Sequence, residues 1–188
     1  MGTMITTGND VVSFLKEQHQ QVKGLLEKVT SARGEARAQA FYTLRRTLAV
    51  HETAEEEIVH PAARRALPNG QSIVEARLRE EGEAKKALTE LEKLDVDSAE
   101  FESKFNALKS AVIAHAEAEE REEFSALGAK FDPGKLESMR KAVELAEAIA
   151  PTRPHAGIES ATANILVGPF AAMVDRSRDA LMGKHRPS

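Results

Sequence analysis

The sequence predicts an all-α fold, an up-down-up-down four-helix bundle with an additional C-terminal helical extension. Helix-forming residues dominate the 188-residue chain, aromatic residues make up 4% of it, and runs of β-branched residues that would form strands are scarce. Four long segments repeat apolar residues at steps of three and four, which is the period of one helix face. We expect the bundle to occupy residues 9–128, and residues 129–188 to pack on the bundle or on a partner subunit.

The first two helices each carry polar residues on their apolar face. The first is expected to begin at Asn9 or Asp10, either of which can cap it, and its face is apolar except at His19. The second begins after a turn at residues 31–34 and ends in the turn chemistry of Pro68, Asn69 and Gly70. On its face the three-and-four stepping reaches His51 and Glu55 at mid-helix.

The third and fourth helices are expected to form the other half of the bundle. The third covers about Ser72 to Leu94, and Asp97 is placed to cap the fourth. The apolar face of the fourth helix leads to His115 and Glu119. Three of the four helices therefore interrupt an apolar face with histidine or glutamate at mid-helix.

Asp132 followed by proline predicts the start of a further helix, which continues to about Ile149. Residues 151–155 contain two prolines and end that helix. A last amphipathic segment from about Ile158 to Met182 is too apolar for a free linker. We expect it to lie across the bundle or to form a homodimer contact.

The interrupted faces repeat along the chain. His51 and Glu55 recur as His115 and Glu119 after 64 residues, and the segment around His19 recurs after 63 residues with Gly82 in the place of the histidine. Buried charged side chains cost several kcal/mol unless they are paired or bind a metal. One polar layer between apolar layers therefore predicts a site, although histidine and glutamate are also common on solvated helix surfaces.

The chemistry of this layer is that of a metal centre. In a helix, residues four apart lie side by side, so each repeat offers one imidazole and one carboxylate. Two such helices and His19 together would supply the ligands of a di-metal carboxylate site, in which two carboxylates can bridge two cations and imidazoles complete each coordination sphere. A set of nitrogen and oxygen ligands without thiolate suits iron. It also suits manganese or zinc, which it indicates less exclusively than iron.

Composition excludes several other functions. The chain has no cysteine, which excludes disulfides, iron–sulfur clusters and thiol catalysis. A net charge of −4 and scattered basic residues do not support nucleic-acid or membrane partners. No signal peptide or membrane-spanning segment is recognisable, so a cytoplasmic location is expected.

From Asp10 to Leu127 the chain resembles the hemerythrin-like family of histidine–histidine–glutamate cation-binding domains. The resemblance rests on the doubled His-x3-Glu-Glu with its following His60-Pro61 and Phe124-Ser125, and on His19 as the first-helix histidine. It implies a four-helix bundle with a non-heme di-iron centre, bridged by Glu55 and Glu119 and completed by His19, His51 and His115. It also implies reaction with O2, peroxide or nitric oxide, or alternatively reversible binding of O2 or iron as a carrier or sensor.

The chain departs from the family at Gly82, where members usually place histidine. Three interpretations stay open: water or substrate fills the gap, a carboxylate from Glu52 or Glu81 replaces the histidine, or the second metal is weakly held. His60 lies nine residues after His51, about half a turn out of phase on a regular helix, and is expected at the bundle end with at most a supporting role. His155 is expected to be exposed.

Overall fold

The computed structural model describes residues 8–150, and all of its regular structure is helical, which confirms the predicted fold class. Within that range there is no strand. The elements are α1 (Val11–Ser31), α2 (Gly34–Ala54), π1 (Glu55–Val59), α3 (His60–Ala66), α4 (Gly70–Leu91), α5 (Ala99–Glu119), π2 (Glu120–Phe124), α6 (Ser125–Lys130) and α7 (Pro133–Ile149).

Four rods form the bundle. The first and third rods are α1 and α4, the second is the continuous run of α2, π1 and α3, and the fourth is the run of α5, π2 and α6. Neighbouring rods pack α1 against α2, α4 against α5, α1 against α5 and α3 against α4, which closes a four-sided arrangement. Both π-helices lie at mid-rod, where a wider turn shifts the face that the following residues present.

Helix caps agree with the sequence at two of the three predicted positions. Asp10 accepts from the backbone of Ser13 at 3.0 Å, and Asp132 caps α7 ahead of its first-turn proline. Asp97 does not cap α5. The cap is Ser98, while the Asp97 carboxylate accepts from the backbone nitrogen of Gly34 at 2.9 and 3.0 Å.

The difference at Asp97 has a simple cause. A serine directly before a helix caps as well as an aspartate does, which leaves Asp97 free to satisfy an amide at the start of α2. Gly34 has a φ of +55°, a backbone conformation that glycine adopts without a steric cost. Asp97 therefore ties the α1–α2 connection to the α4–α5 connection.

Two apolar clusters lie on either side of a polar layer. The larger cluster, at the end of the bundle where α1 meets α2, comprises Val22, Leu26, Val29, Ala40, Phe41, Leu44, Leu48, Leu88, Leu91, Phe101, Phe105, Leu108 and Val112. The smaller comprises Val11, Leu15, Ala54, Val59, Ala62, Phe124, Leu127, Leu136, Met139, Val143 and Ala146. On α1, His19 lies between the last residue of one cluster and the first of the other, so the polar layer is enclosed by apolar packing.

Helix α7 covers the smaller cluster by packing on α1, α2 and π1. Two large apolar side chains of α7 point away from the bundle, with Leu145 65% and Ile149 52% exposed. The predicted amphipathic segment from Ile158 to Met182, and His155, lie outside the described residues. Across residues 8–150, no helix is both long enough and apolar enough to span a membrane.

Candidate metal centre

The polar layer brings together all five residues that the repeat predicts. Possible ligand atoms of His19, His51, Glu55 and Glu119 lie within 4.8 Å of one another, and every one of these side chains is buried. His115 joins them through its Nε2, which lies 3.1 Å from Glu119 Oε1. The helical spacing of four thus places each histidine beside the glutamate of its own rod, as expected.

A second group adjoins the first. His60, Glu81 and Glu119 also place possible ligand atoms within 4.8 Å of one another, and all three are buried. The two groups share Glu119, whose carboxylate is fully buried. The layer therefore has two adjacent positions that could each hold a cation.

Every histidine of the layer turns the same face inward. The four Nδ1 atoms contact oxygens of residues that belong to neither group, whereas the Nε2 atoms face the carboxylates of the two groups. The Nδ1 partners are Glu120 Oε1 for His19 (2.9 Å), Gln18 Oε1 for His51 (2.8 Å), Glu80 Oε2 for His115 (2.8 Å) and Glu123 Oε2 for His60 (2.8 Å). Such outer contacts fix the ring orientation and the tautomer of metal-binding histidines.

The inward contacts of His19 and His51 pair possible ligand atoms with one another. His51 Nε2 lies 3.1 Å from Glu55 Oε2, and His19 Nε2 lies 3.5 Å from Glu119 Oε2. In the neutral tautomer of these two rings that donates from Nδ1 to the outer oxygen, Nε2 presents a lone pair to a carboxylate lone pair. A proton or a metal ion between the two atoms removes that repulsion.

The carboxylates are similarly unsatisfied. Within the described part of the chain, both oxygens of Glu55, both oxygens of Glu119 and Oε2 of Glu81 are buried without a hydrogen-bond partner. A buried carboxylate without a partner is costly, and metal coordination is one of the few arrangements that satisfies it. The donor set thus fits a pair of cations.

Burial and charge shift the pKa values in the layer. Burial, reinforced by His19, lowers the pKa of His51 to about 3, so this imidazole is neutral and available as a ligand at neutral pH. Burial, reinforced by Glu119, raises the pKa of Glu55 well above its usual value. For Glu119, burial acts in the same direction, but His115 and other neighbours outweigh it and hold the pKa well below its usual value.

His60 corrects the sequence-based expectation that it lies at the bundle end. It is 2% exposed, and its Nε2 lies 2.6 Å from Glu81 Oε1. The cause is π1, which accommodates one more residue per turn between Glu55 and His60 and so rotates His60 onto the inner face. The spacing of five between Glu55 and His60 was the available signal, but a regular helix does not place such residues on one face.

The two carboxylates suggested as replacements at Gly82 have different surroundings. Glu81 belongs to the second group, and His60 and His115 outweigh its burial and lower its pKa. Glu52 is 4% exposed but belongs to neither group, and burial raises its pKa to about 8 although Lys85 acts in the opposite direction. The structure therefore places Glu81, not Glu52, against the cation positions.

A buried lysine extends the second group outward. Lys85 is 5% exposed, and its Nζ contacts Glu56 Oε1, which lies on the rod that faces α4. Glu56 in turn hydrogen-bonds Glu81, which contacts His60. The result is a continuous line of buried ionisable side chains from Lys85 to the centre.

Comparison with known proteins agrees with this geometry. The family described as "Hemerythrin HHE cation binding domain" matches residues 10–127. A solved structure of a hemerythrin HHE cation-binding domain-containing protein from Mycobacterium kansasii is similar at 25% identity and a TM-score of 0.65, with 74% of this chain and 85% of that chain covered. No curated protein matches significantly. The family match covers more than half of the sequence, and the chain therefore belongs to the hemerythrin HHE cation-binding domain family.

Proposed function

We propose that this chain is a non-heme di-iron protein that binds or reacts with O2, peroxide or nitric oxide. The observation that carries the proposal is the common orientation of four imidazoles, three buried and that of His115 nearly so, which direct Nε2 at three carboxylates and Nδ1 at oxygens of residues outside the two groups. Structural histidines in a protein core need no such convergence. A pair of cations explains all four orientations at once.

The ligands divide between two positions. His19 and His51 serve the first, while His60, His115 and Glu81 serve the second. Glu119, which belongs to both groups, would serve both positions, and Glu55 of the first group would have a second oxygen to offer, since both of its oxygens are buried without a hydrogen-bond partner among residues 8–150. When bound, iron supplies the electron transfers that reaction with an oxidant requires.

The surrounding residues control orientation and water. Gln18 accepts from His51 Nδ1 and donates from its own amide to Glu147 Oε1 at 2.6 Å, so α7 helps to hold this histidine. The apolar clusters on both sides keep bulk water from the layer. Access is unequal, because the His115 side chain is 13% exposed and that of His19 is 3% exposed. A small molecule therefore reaches the centre from the side of His115.

Reversible binding of O2 or iron, as a carrier or sensor, is the second candidate. The observation in its favour is the extensive hydrogen bonding that fixes every imidazole, since a rigid site suits reversible binding. Mixing the reduced protein with O2 separates the two. A stable species that releases O2 under vacuum supports a carrier, whereas consumption of added peroxide over many equivalents supports an enzyme.

Metal analysis of anaerobically purified protein, with absorption spectra before and after peroxide, tests the proposal. We expect iron at two equivalents per chain and a visible absorption change on oxidation. Substitution of His115 by Ala should remove iron from the second position, and the matched change Glu117→Ala, at an exposed residue of the same helix, should not. Unchanged iron content in the His115 variant would contradict the assignment.

A further inference from the structure

A cleft of about 1130 Å³ opens between α4 and α5 and ends at the metal centre. Its inner end is formed by His19, His51 and Glu119, and its wall includes His115. Four of the apolar side chains that line it belong to the larger cluster: Val22, Leu48, Leu108 and Val112. The cleft is thus polar at the inner end and apolar along its length.

Small residues keep the cleft open. Helices α4 and α5 are bridged at two levels, by Glu80 with His115 at 2.8 Å and by Glu90 with Lys104 at 3.1 Å. The two bridges are ten residues apart on α4, or about 15 Å at 1.5 Å per residue. Among the residues that line the cleft between these levels, five are small, and they come from both helices: Gly82, Ala84, Ala87, Ala107 and Ala111. None of these side chains is long enough to close the gap.

Unsatisfied polar atoms point to a ligand at the inner end. Among the described residues, His19 Nε2, Glu52 Oε2 and both Glu119 oxygens are buried without a hydrogen-bond partner, and all three residues line the cleft. Glu52 belongs to neither group of candidate metal ligands, so metal binding alone does not satisfy it. A polar group that enters the cleft from outside reaches it.

The size of the cleft sets the class of ligand. O2, peroxide and nitric oxide are each comparable to one or two water molecules, about 30 Å³ apiece. Clefts that hold organic ligands measure about 300–1,000 Å³, and this cleft slightly exceeds that range. The proposed substrates alone therefore leave most of the apolar length unused.

We propose that this cleft binds an aliphatic molecule with a terminal oxygen group, with the hydrocarbon body along the alanine-lined walls and the oxygen beside Glu52 and the metal centre. This inference deepens the proposed function and rests on it for the role of the oxygen end. An alkyl hydroperoxide is the member of this class that a peroxide-reactive centre would use. The binding itself depends only on the cleft and is testable without metal.

Calorimetric titration of the metal-free full-length protein with 1-octanol tests the binding, with ethanol as the short-chain control. We expect saturable binding of octanol at least tenfold tighter than that of ethanol. The variant Ala111→Phe, which places a ring in the cleft at an exposed position, should weaken octanol binding at least tenfold. The control Ala36→Phe, at an exposed position of α2 outside the cleft, should leave it unchanged.

The orientation has its own measurement. With Mn²⁺ loaded as a paramagnetic probe, the hydroxymethyl protons of bound octanol should relax faster than its terminal methyl protons. Equal octanol and ethanol binding, an unaffected Ala111→Phe variant, or the opposite relaxation order would each overturn the proposal. A second copy of the chain is the alternative occupant of the cleft, and light scattering tests for it. A dimer that the Ala111→Phe variant no longer forms would also contradict the proposal. Absence of iron from the purified protein would instead contradict the proposed function and leave octanol binding intact.

Discussion

The two halves of the bundle present the same His-x3-Glu pair to the centre but support it differently. The first half-site consists of Gln18, His19, Val22 and Phe124. Its histidine lies on α1, and the ring stacks on Phe124 with 5.4 Å between the centroids. The second half-site is defined by the residues 63 or 64 positions away, which are Glu81, Gly82, Lys85 and His60. The first is largely uncharged and apolar, and the second is built from charged groups.

The imidazole comes from a different kind of position in each half-site. In the first half-site, α1 supplies the imidazole of His19, and the neighbouring fourth rod supplies the ring of Phe124 that packs on it. In the second half-site, α4 has Gly82 at the corresponding position, and the neighbouring second rod supplies the imidazole of His60. A π-helix begins at Glu55 in the second rod and directly after Glu119 in the fourth, and His60 and Phe124, which are 64 residues apart, occupy equivalent positions of the repeat. The imidazole that is absent at Gly82 on α4 is therefore present at His60 on the neighbouring rod, at the position that corresponds to Phe124.

The difference also explains the buried lysine. Glu81, Glu56 and Glu52 are three buried carboxylates on this side, where their counterparts in the first half are Gln18, the partly exposed Glu120 and Ala116. Burial of that much negative charge requires a compensating cation. Lys85 supplies one at the position where the first half-site has Val22.

The largest expected effect comes from the residue that both halves share. Substitution of Glu119 by Ala removes the carboxylate common to both candidate groups and should abolish binding at both positions. Metal content per chain after anaerobic loading measures it, with Glu117→Ala as the exposed control on α5. A variant that still binds one full equivalent would show that the two positions do not share this ligand.

A smaller effect, confined to the second half-site, is expected from Lys85→Met. Loss of the ammonium leaves Glu56 buried without its ion-pair partner, which should lower the free energy of unfolding by about 3–5 kcal/mol. The metal at the second position should be lost before that at the first. Chemical denaturation and metal titration measure both, and Lys86→Met, at the exposed neighbour, serves as control. Equal loss of both metals would contradict the separation of the two half-sites.

The smallest effect is expected from Phe124→Leu in the first half-site. The stacked ring orients His19 without being a ligand, and its loss should cost about 1 kcal/mol of stability. Affinity at the first position should fall while that at the second is unchanged. Phe105→Leu, in the cluster remote from the centre, is the matched control for lost ring packing. A loss of metal affinity at the second position alone would contradict the proposed equivalence of Phe124 and His60.

The sequence predicted the bundle well because the apolar faces and the caps are local signals. It also predicted the convergence of His51, Glu55, His115 and Glu119, since residues four apart share a helix face. The inward position of His60 was missed because it depends on a π-helical turn, for which 3.6-residue periodicity contains no information. The choice between Glu52 and Glu81 likewise depends on how α4 packs against the second rod, which the pattern of a single helix does not determine.

The central claim is that His60 replaces the histidine missing at Gly82, and iron content per chain tests it most directly. Wild type should bind two equivalents, His60→Ala one, and the double variant Gly82→His, His60→Phe, which copies the first half-site, two again. The exposed-site control Glu117→Ala should stay at two. Two equivalents bound by His60→Ala would contradict the claim, because the second position would then not need this imidazole.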